Sequence, residues 1–288
     1  MHLTSIMIEG LCRFNQPSLL INLDRHSIVN VASDQSNGKT TLLKIIDFAT
    51  KFLNGQTGLL EEYSTLFAYL DKPIFITSSV KHEGVQYSIH SGLTVVEDQF
   101  GNRKLLVTEE SIMSKNMFKQ RNEIIDEFLR DDMSMFSAYT KENPLFCYAV
   151  FEDTVLTEQD INSMPFGMIQ MADKSIVNVE IKDLMCNIKR DSSCYYSQRE
   201  QSVPFHSLET SMLLSPSTKR WLLIQARLCE VERTGGLFLI DDFDCRINNR
   251  IQDYIEEHVS QKDSNEHPIT LVKTTQHGQK NEKTYFLA

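Results

Sequence analysis

No run of about 18 or more apolar residues occurs in the sequence, so nothing in it reads as a membrane-spanning helix. Met1 to Glu9 lacks the charged start and long apolar core of a signal peptide and reads as a strand. The six cysteines, at 12, 147, 186, 194, 229 and 245, include no C-x-x-C pair and no clustering with histidine. That excludes a zinc site and a disulfide frame, and it suits reduced, mostly structural thiols in a cytoplasmic protein. No internal repeat is present, nor a heptad array long enough for a coiled-coil arm. Positive charge is also scarce: 29 Lys and Arg stand against 39 Asp and Glu, a net charge of −10. Such a balance argues against a surface that grips nucleic acid throughout, because phosphate binding needs clustered cations. Asn187 to Asp191 and Lys280 to Lys283 are the only candidates for a local basic patch, and both read better as solvated loops. No nuclease cluster of the TOPRIM or HNH kind is visible, so any cutting activity is expected in another chain.

Against these absences stands the run Ser33-Asp34-Gln35-Ser36-Asn37-Gly38-Lys39-Thr40-Thr41. A bound triphosphate needs a concave ring of backbone N–H donors, and a glycine such as Gly38 lets the chain curl closely around it. Lys39 offers a point charge to the outer phosphates, and the Thr40 hydroxyl can ligate Mg2+. Ser27 to Ala32 is a short, β-branched run expected as a buried strand, and Thr41 to Leu53 carries apolar residues at helical spacing. Strand, loop and helix therefore come in the order an ATP site requires. A polar turn before a helix is the other reading of the same residues. Ser33 and Ser36 occupy places where glycine is usual, and serine fills such a place when its φ is negative.

Two further segments carry chemistry. Gly235-Gly236 leads into Leu237-Phe238-Leu239-Ile240 and then Asp241-Asp242, an apolar strand ending in two carboxylates. A parallel strand buried on both faces reads as a continuous apolar run, and its C-terminal end is where α/β sheets place ligands. Asp241 would hold Mg2+ and Asp242 would orient water or act as base, although aspartate is one methylene shorter than the usual glutamate. The alternative is a buried strand that ends in a solvated turn. Upstream, Ser215 is a good N-cap and Pro216 a good first helical residue, so a helix should run through Leu228. A helix start with exposed hydroxyls is also an anion site, and an ordinary capped helix is the other reading.

Taken in order, these segments resemble the ABC-type ATPases, in particular the soluble branch that includes the SMC and RecF proteins and the OLD-like AAA-type ATPases. Ser33 to Leu43 is similar to G-x-N-G-x-G-K-[ST]-T-L-L except at the two serines and at Gln35. Leu214 to Arg220 resembles the signature L-S-x-G-x-x-R, with Ser217 replacing glycine. Leu237 to Asp242 resembles the acidic strand, Phe243 to Ile247 the D-loop, and Ile269 to His277 the strand that ends in the switch histidine. The resemblance implies nucleotide sandwiched in a homodimer, with Lys39 and Thr40 on one face and the partner copy supplying Ser215 and Ser217. It further implies that His277 contacts the γ-phosphate and that Asp242 orients the attacking water. The family's glutamine loop is left unassigned among Gln86, Gln99 and Gln120.

The fold class expected is α/β, a P-loop NTPase of ABC type with a mixed sheet core, an antiparallel β meander and a helical insert. The division expected is 1–108 for the first part of the ATPase core, 109–207 for a helical or mixed insert serving as lid or partner site, and 208–288 for the second part of the core. Alternating runs at Ile74 to Thr77, Val80 to Gly92 and Leu93 to Val107 suggest the meander. Residues 109–140 read as one or two amphipathic helices on Phe118, Ile124, Ile125, Phe128 and Leu129. Three functions follow: a soluble ATPase that dimerises with ATP and controls a protein effector, often in bacterial defence; a nucleotide-gated scaffold with little hydrolysis; and the ATPase subunit of a membrane transporter.

Overall fold

The computed structural model begins with β1 (His2–Glu9) and β2 (Ser18–Asn22), paired antiparallel. Next come β3 (Ile28–Ala32), α1 (Lys39–Leu53) and two single turns, α2 (Leu59–Glu62) and α3 (Ser64–Phe67). β4 (Ile74–His82), β5 (Val85–Glu97), β6 (Arg103–Ser114) and β7 (Met117–Gln120) form a meander. α4 (Ser137–Thr140), β8 (Cys147–Val150) and α5 (Glu158–Asn162) precede β9 (Ile176–Lys182), β10 (Met185–Ser192) and β11 (Ser197–Pro204). The last elements are α6 (Pro216–Thr234), β12 (Gly236–Ile240), α7 (Asn249–Gln261), β13 (Ile269–Thr275) and β14 (Lys283–Phe286). The structure describes all residues except 11–17, 25–26, 33–37, 69–71, 122–128, 163–166, 168–169, 172, 183–184, 193–196, 205–213, 246, 262–266, 276–282 and 287–288.

Mixed α/β architecture results from two kinds of hydrophobic pattern. β3, β12 and β13 are buried on both faces, and they form the middle of a parallel sheet of order β14-β3-β13-β12-β8. β4 instead alternates buried and half-exposed residues, as a sheet covered on one side does. It belongs to a six-stranded antiparallel sheet of order β2-β1-β4-β5-β6-β7. β11, β10 and β9 make a third, three-stranded sheet. One core joins Leu42, Ile46 and Phe48 of α1 to the antiparallel sheet and to Val29, Val31, Leu239 and Val272. The other joins Trp221 and Ile224 of α6 and Ile255 of α7 to Phe238, Ile240 and Leu271 on the opposite face. Because side chains alternate along a strand, each central strand feeds both cores.

The Gly235-Gly236 pair has a steric cause. Gly236 sits at φ 107, and a Cβ there would run into the Phe146 carbonyl, so glycine lets β12 start tight against the chain entering β8.

Several expectations about local structure are corrected. Residues 109–120 are strand and hairpin, since β6 continues through position 108 to Ser114 and turns into β7. Pairing of β6 with β5 on one side and β7 on the other overrides the helical spacing read from Phe118. Ile124, Ile125 and Phe128 lie outside the described residues. Asn187 to Asp191 is not a solvated loop but part of β10, where Arg190 pairs with Asp173 at 2.6 Å. Of the cysteines, 147 and 186 are free thiols, while 12 and 194 lie outside the described residues. Burial pushes the Cys186 thiol up to about 11, as expected of an inert structural cysteine. Among the described residues no helix is long and apolar enough to cross a membrane.

Candidate functional site

The C-terminal ends of β3, β13 and β12 lie side by side, and the chemistry collects there. α1 starts at Gly38, whose φ of 81 is left-handed and whose carbonyl accepts the Leu42 N–H at 2.8 Å. Among the described residues no side chain caps this helix. The contrast is α6, where the Ser215 hydroxyl accepts the Thr218 N–H at 3.1 Å and Pro216 occupies the first helical position. Ser215 thus caps its own helix with a side chain, whereas α1 begins at a glycine that has none to offer.

Lys39 and Thr40 form the first turn of α1. Lys39 is buried, and its Nζ donates to the Thr275 carbonyl at the end of β13 at 3.2 Å. The Thr40 hydroxyl donates to Asp241 Oδ2 at 2.7 Å. Residues Leu237, Leu239 and Asp241 share one face of the chain, so Asp241 points to the α1 side of the sheet. Its other oxygen, Oδ1, accepts from Thr274 Oγ1 at 2.7 Å, and the same hydroxyl accepts the Asp242 N–H at 2.7 Å. The sequence separation between Thr40 and Asp241 is 201 residues, so the fold alone brings hydroxyl and carboxylate together.

Asp242 has φ 45, one of two non-glycine residues at positive φ among those described. Aspartate tolerates that region better than most residues, at a cost of roughly 1–2 kcal/mol. Burial first, and then the Asp241 carboxylate, raise its pKa above the ordinary aspartate value, with Lys39 opposing. Phe243 is buried behind it, donates its N–H to the Thr274 carbonyl at 2.8 Å, and stacks under the Lys273 ammonium at 5.0 Å. Lys273 is itself buried and ion-paired with Glu256 of α7 at 2.5 Å. A cavity of about 350 Å³ opens beside the two aspartates, between the end of β8 and the first turns of α6.

Of the residues singled out from sequence, Gly38, Lys39, Thr40 and Thr41 begin α1, and Asp241 and Asp242 follow β12. Ser215 and Ser217 are exposed at the start of α6, whose Pro216 borders the cavity. Ser33, Asp34, Gln35, Ser36, Asn37 and His277 lie outside the described residues. Three residues carry roles that the sequence reading did not assign, although Arg220 closes the signature-like run. Thr274 bridges the aspartates, Arg220 lies against the carbonyl of Asp241, and Glu152 at the end of β8 lines the cavity. Glu152 was legible, because an acid that ends an apolar strand is the signal that picked out Asp241. None of Gln86, Gln99 and Gln120 lines that cavity, and Gln86 donates to Thr4 Oγ1 at 3.2 Å.

Thr40 and Asp241 fit a hard divalent cation. Mg2+ takes oxygen ligands, and one or two carboxylates together with substrate phosphates hold it. Among the described residues no group of three His, Cys, Asp or Glu is placed to hold a metal ion.

No family model matches the chain, and no curated protein is similar to it. Among solved structures it is similar to the SMC head domain from Thermotoga maritima, with TM-score 0.44 and 13% identity over 96% of this chain and 89% of that one. It is also similar to the SmcHead bound to the C-winged helix domain of ScpA, with TM-score 0.46 and 10% identity over 96% of this chain and 90% of the other. Likeness at this level assigns no activity.

Proposed function

We propose that this chain is an ATP-binding protein of ABC type, which holds MgATP at the start of α1 and closes with a second copy around it to control a protein effector. The observation that carries the reading is the hydrogen bond from Thr40 to Asp241, made across the mouth of a parallel sheet directly behind a left-handed Gly38. In this reading the amides after Gly38 and the Lys39 ammonium bind the β- and γ-phosphates. Thr40 and Asp241 hold Mg2+, which neutralises charge on the phosphates when bound. Asp242 orients water, and the exposed Ser215 and Ser217 meet the partner's nucleotide. The bacterial-defence setting and the contact of His277 with the γ-phosphate come from the family resemblance.

A second reading is favoured by Asp242 itself. Its side chain is a methylene shorter than glutamate and its backbone is left-handed, which suits a nucleotide-gated scaffold that hydrolyses little. MgATP should raise the melting temperature and shift the chain to a dimer, and Lys39→Ala should abolish both. Unchanged melting and unchanged mass with MgATP would end the nucleotide reading. Equal phosphate release from wild type and Asp242→Asn would favour the scaffold.

A further inference from the structure

Arg220 sits in the first turns of α6 and reaches two strand ends at once. Its Nη1 donates to the Phe151 carbonyl at 2.7 Å, and its Nη2 donates to the Val150 carbonyl at 3.3 Å and to the Asp241 carbonyl. The β8–β12 ladder ends at the pair Val150 and Ile240, with Asp241 N–H donating to Val150 O at 3.0 Å. Past that point the two backbones have no ladder to hold them together. Arg220 extends the pairing with side-chain donors, and a planar fork suits this where a single ammonium would not.

The peptide it grips is the one that joins Asp241 to Asp242. Arg220 holds the carbonyl side of that peptide, and Thr274 Oγ1 holds the N–H side at 2.7 Å. Asp242 follows in a left-handed conformation that persists only where the surroundings over-determine it. Two clamps on one peptide plane are such surroundings. One of them is carried by a helix whose exposed first residues include Ser215 and Ser217.

We propose that Arg220 is a positioning residue, which ties the first turns of α6 to the Asp241–Asp242 peptide and so sets where the Asp242 carboxylate points. This rests on the nucleotide reading for its consequence in catalysis. The clamp itself does not need nucleotide to be seen.

The test is hydrogen exchange by mass spectrometry on the full chain without nucleotide, comparing wild type, Arg220→Lys and Arg220→Gln. Peptides over residues 241–245 should exchange about tenfold faster in both variants, while peptides from β4 and β5 stay as in wild type and report that the fold is intact. In parallel, Arg220→Lys should bind MgATP within about threefold of wild type but release phosphate about tenfold more slowly, with KM unchanged. Combining it with Asp242→Asn should add no further loss, because one acts through the other. Unchanged exchange at 241–245 in Arg220→Lys overturns the proposal. So does a loss of MgATP affinity that matches the loss of turnover. If wild type fails to bind MgATP, the nucleotide reading falls while the exchange comparison still decides the role of Arg220.

Discussion

Asp241, at the mouth of the parallel sheet, and Glu110, in the antiparallel meander, are buried to nearly the same degree, 2% and 3% exposed. Their surroundings differ in kind. Glu110 accepts from Ser134 Oγ at 2.5 Å, the Met135 N–H at 2.7 Å and Ser91 Oγ at 3.3 Å, with the Arg121 guanidinium at 3.5 Å. Arg121 in turn donates to the Met133 and Arg130 carbonyls, both at 2.8 Å. That carboxylate pins the segment around 130–135 onto the sheet, and burial raises its pKa despite its donors. Asp241 is held by two hydroxyls, from Thr40 and Thr274, and neighbours a second acid. Each acid accepts from two hydroxyls, which can turn to other acceptors or ligate a cation, but Glu110 is held in addition by a backbone N–H and a guanidinium, which stay as donors. Burial alone therefore does not distinguish the two acids; the fixed donors around Glu110 do.

The comparison can be broken from either side. Glu110→Ala leaves Arg121 and the donors of Ser134 and Met135 without their acceptor, and it should cost about 3 kcal/mol, lowering Tm by several degrees while the shift caused by MgATP persists. A calorimetric scan with and without nucleotide checks both parts, and an unchanged Tm would demote the pin. Asp241→Asn should behave in the opposite way. Stability without ligand stays within about 1 kcal/mol of wild type, since Asn keeps one oxygen for a hydroxyl, but the gain from MgATP, about 2.7 kcal/mol at a hundred times Kd, disappears. Retention of that gain would remove Asp241 from the metal site.

The smallest effect is the sharpest in sign. A carboxyl whose pKa is raised by folding favours the native state below its unfolded pKa and loses that contribution as pH rises through the folded value. Asp242 is such a group, so Asp242→Asn should raise Tm at neutral pH by roughly 1–2 °C. The gain should shrink as pH falls through the raised pKa, where wild-type Asp242 becomes neutral too. A gain that grew on acidification would contradict the raised pKa.

Much of this was legible in the sequence where local pattern and packing agree. Thr41 to Leu53 is helix because its apolar stripe meets a core on one side, and Leu237 to Ile240 is a strand buried on both faces. Ser215 and Pro216 fix the start of α6 through cap chemistry that needs no tertiary context. The edge of the meander was misread, since β6 and β7 are specified by cross-strand partners such as Ile112 opposite Lys119, which a single-strand period does not reveal. The roles of Thr274 and Arg220 were hidden for a related reason. Their roles are hydrogen bonds to strand ends that are distant in sequence, 33 residues for Thr274 to Asp241 and 69 for Arg220 to Phe151. Glu152 was overlooked although the rule that found Asp241 applies to it.

Calorimetric titration of ATP with Mg2+ into wild type and Lys39→Ala tests the central claim most directly. Wild type should bind one nucleotide per chain, and the substitution should erase the binding heat while leaving the unliganded melting curve in place. No saturable heat with wild type, or equal heats from the two proteins, would contradict the account.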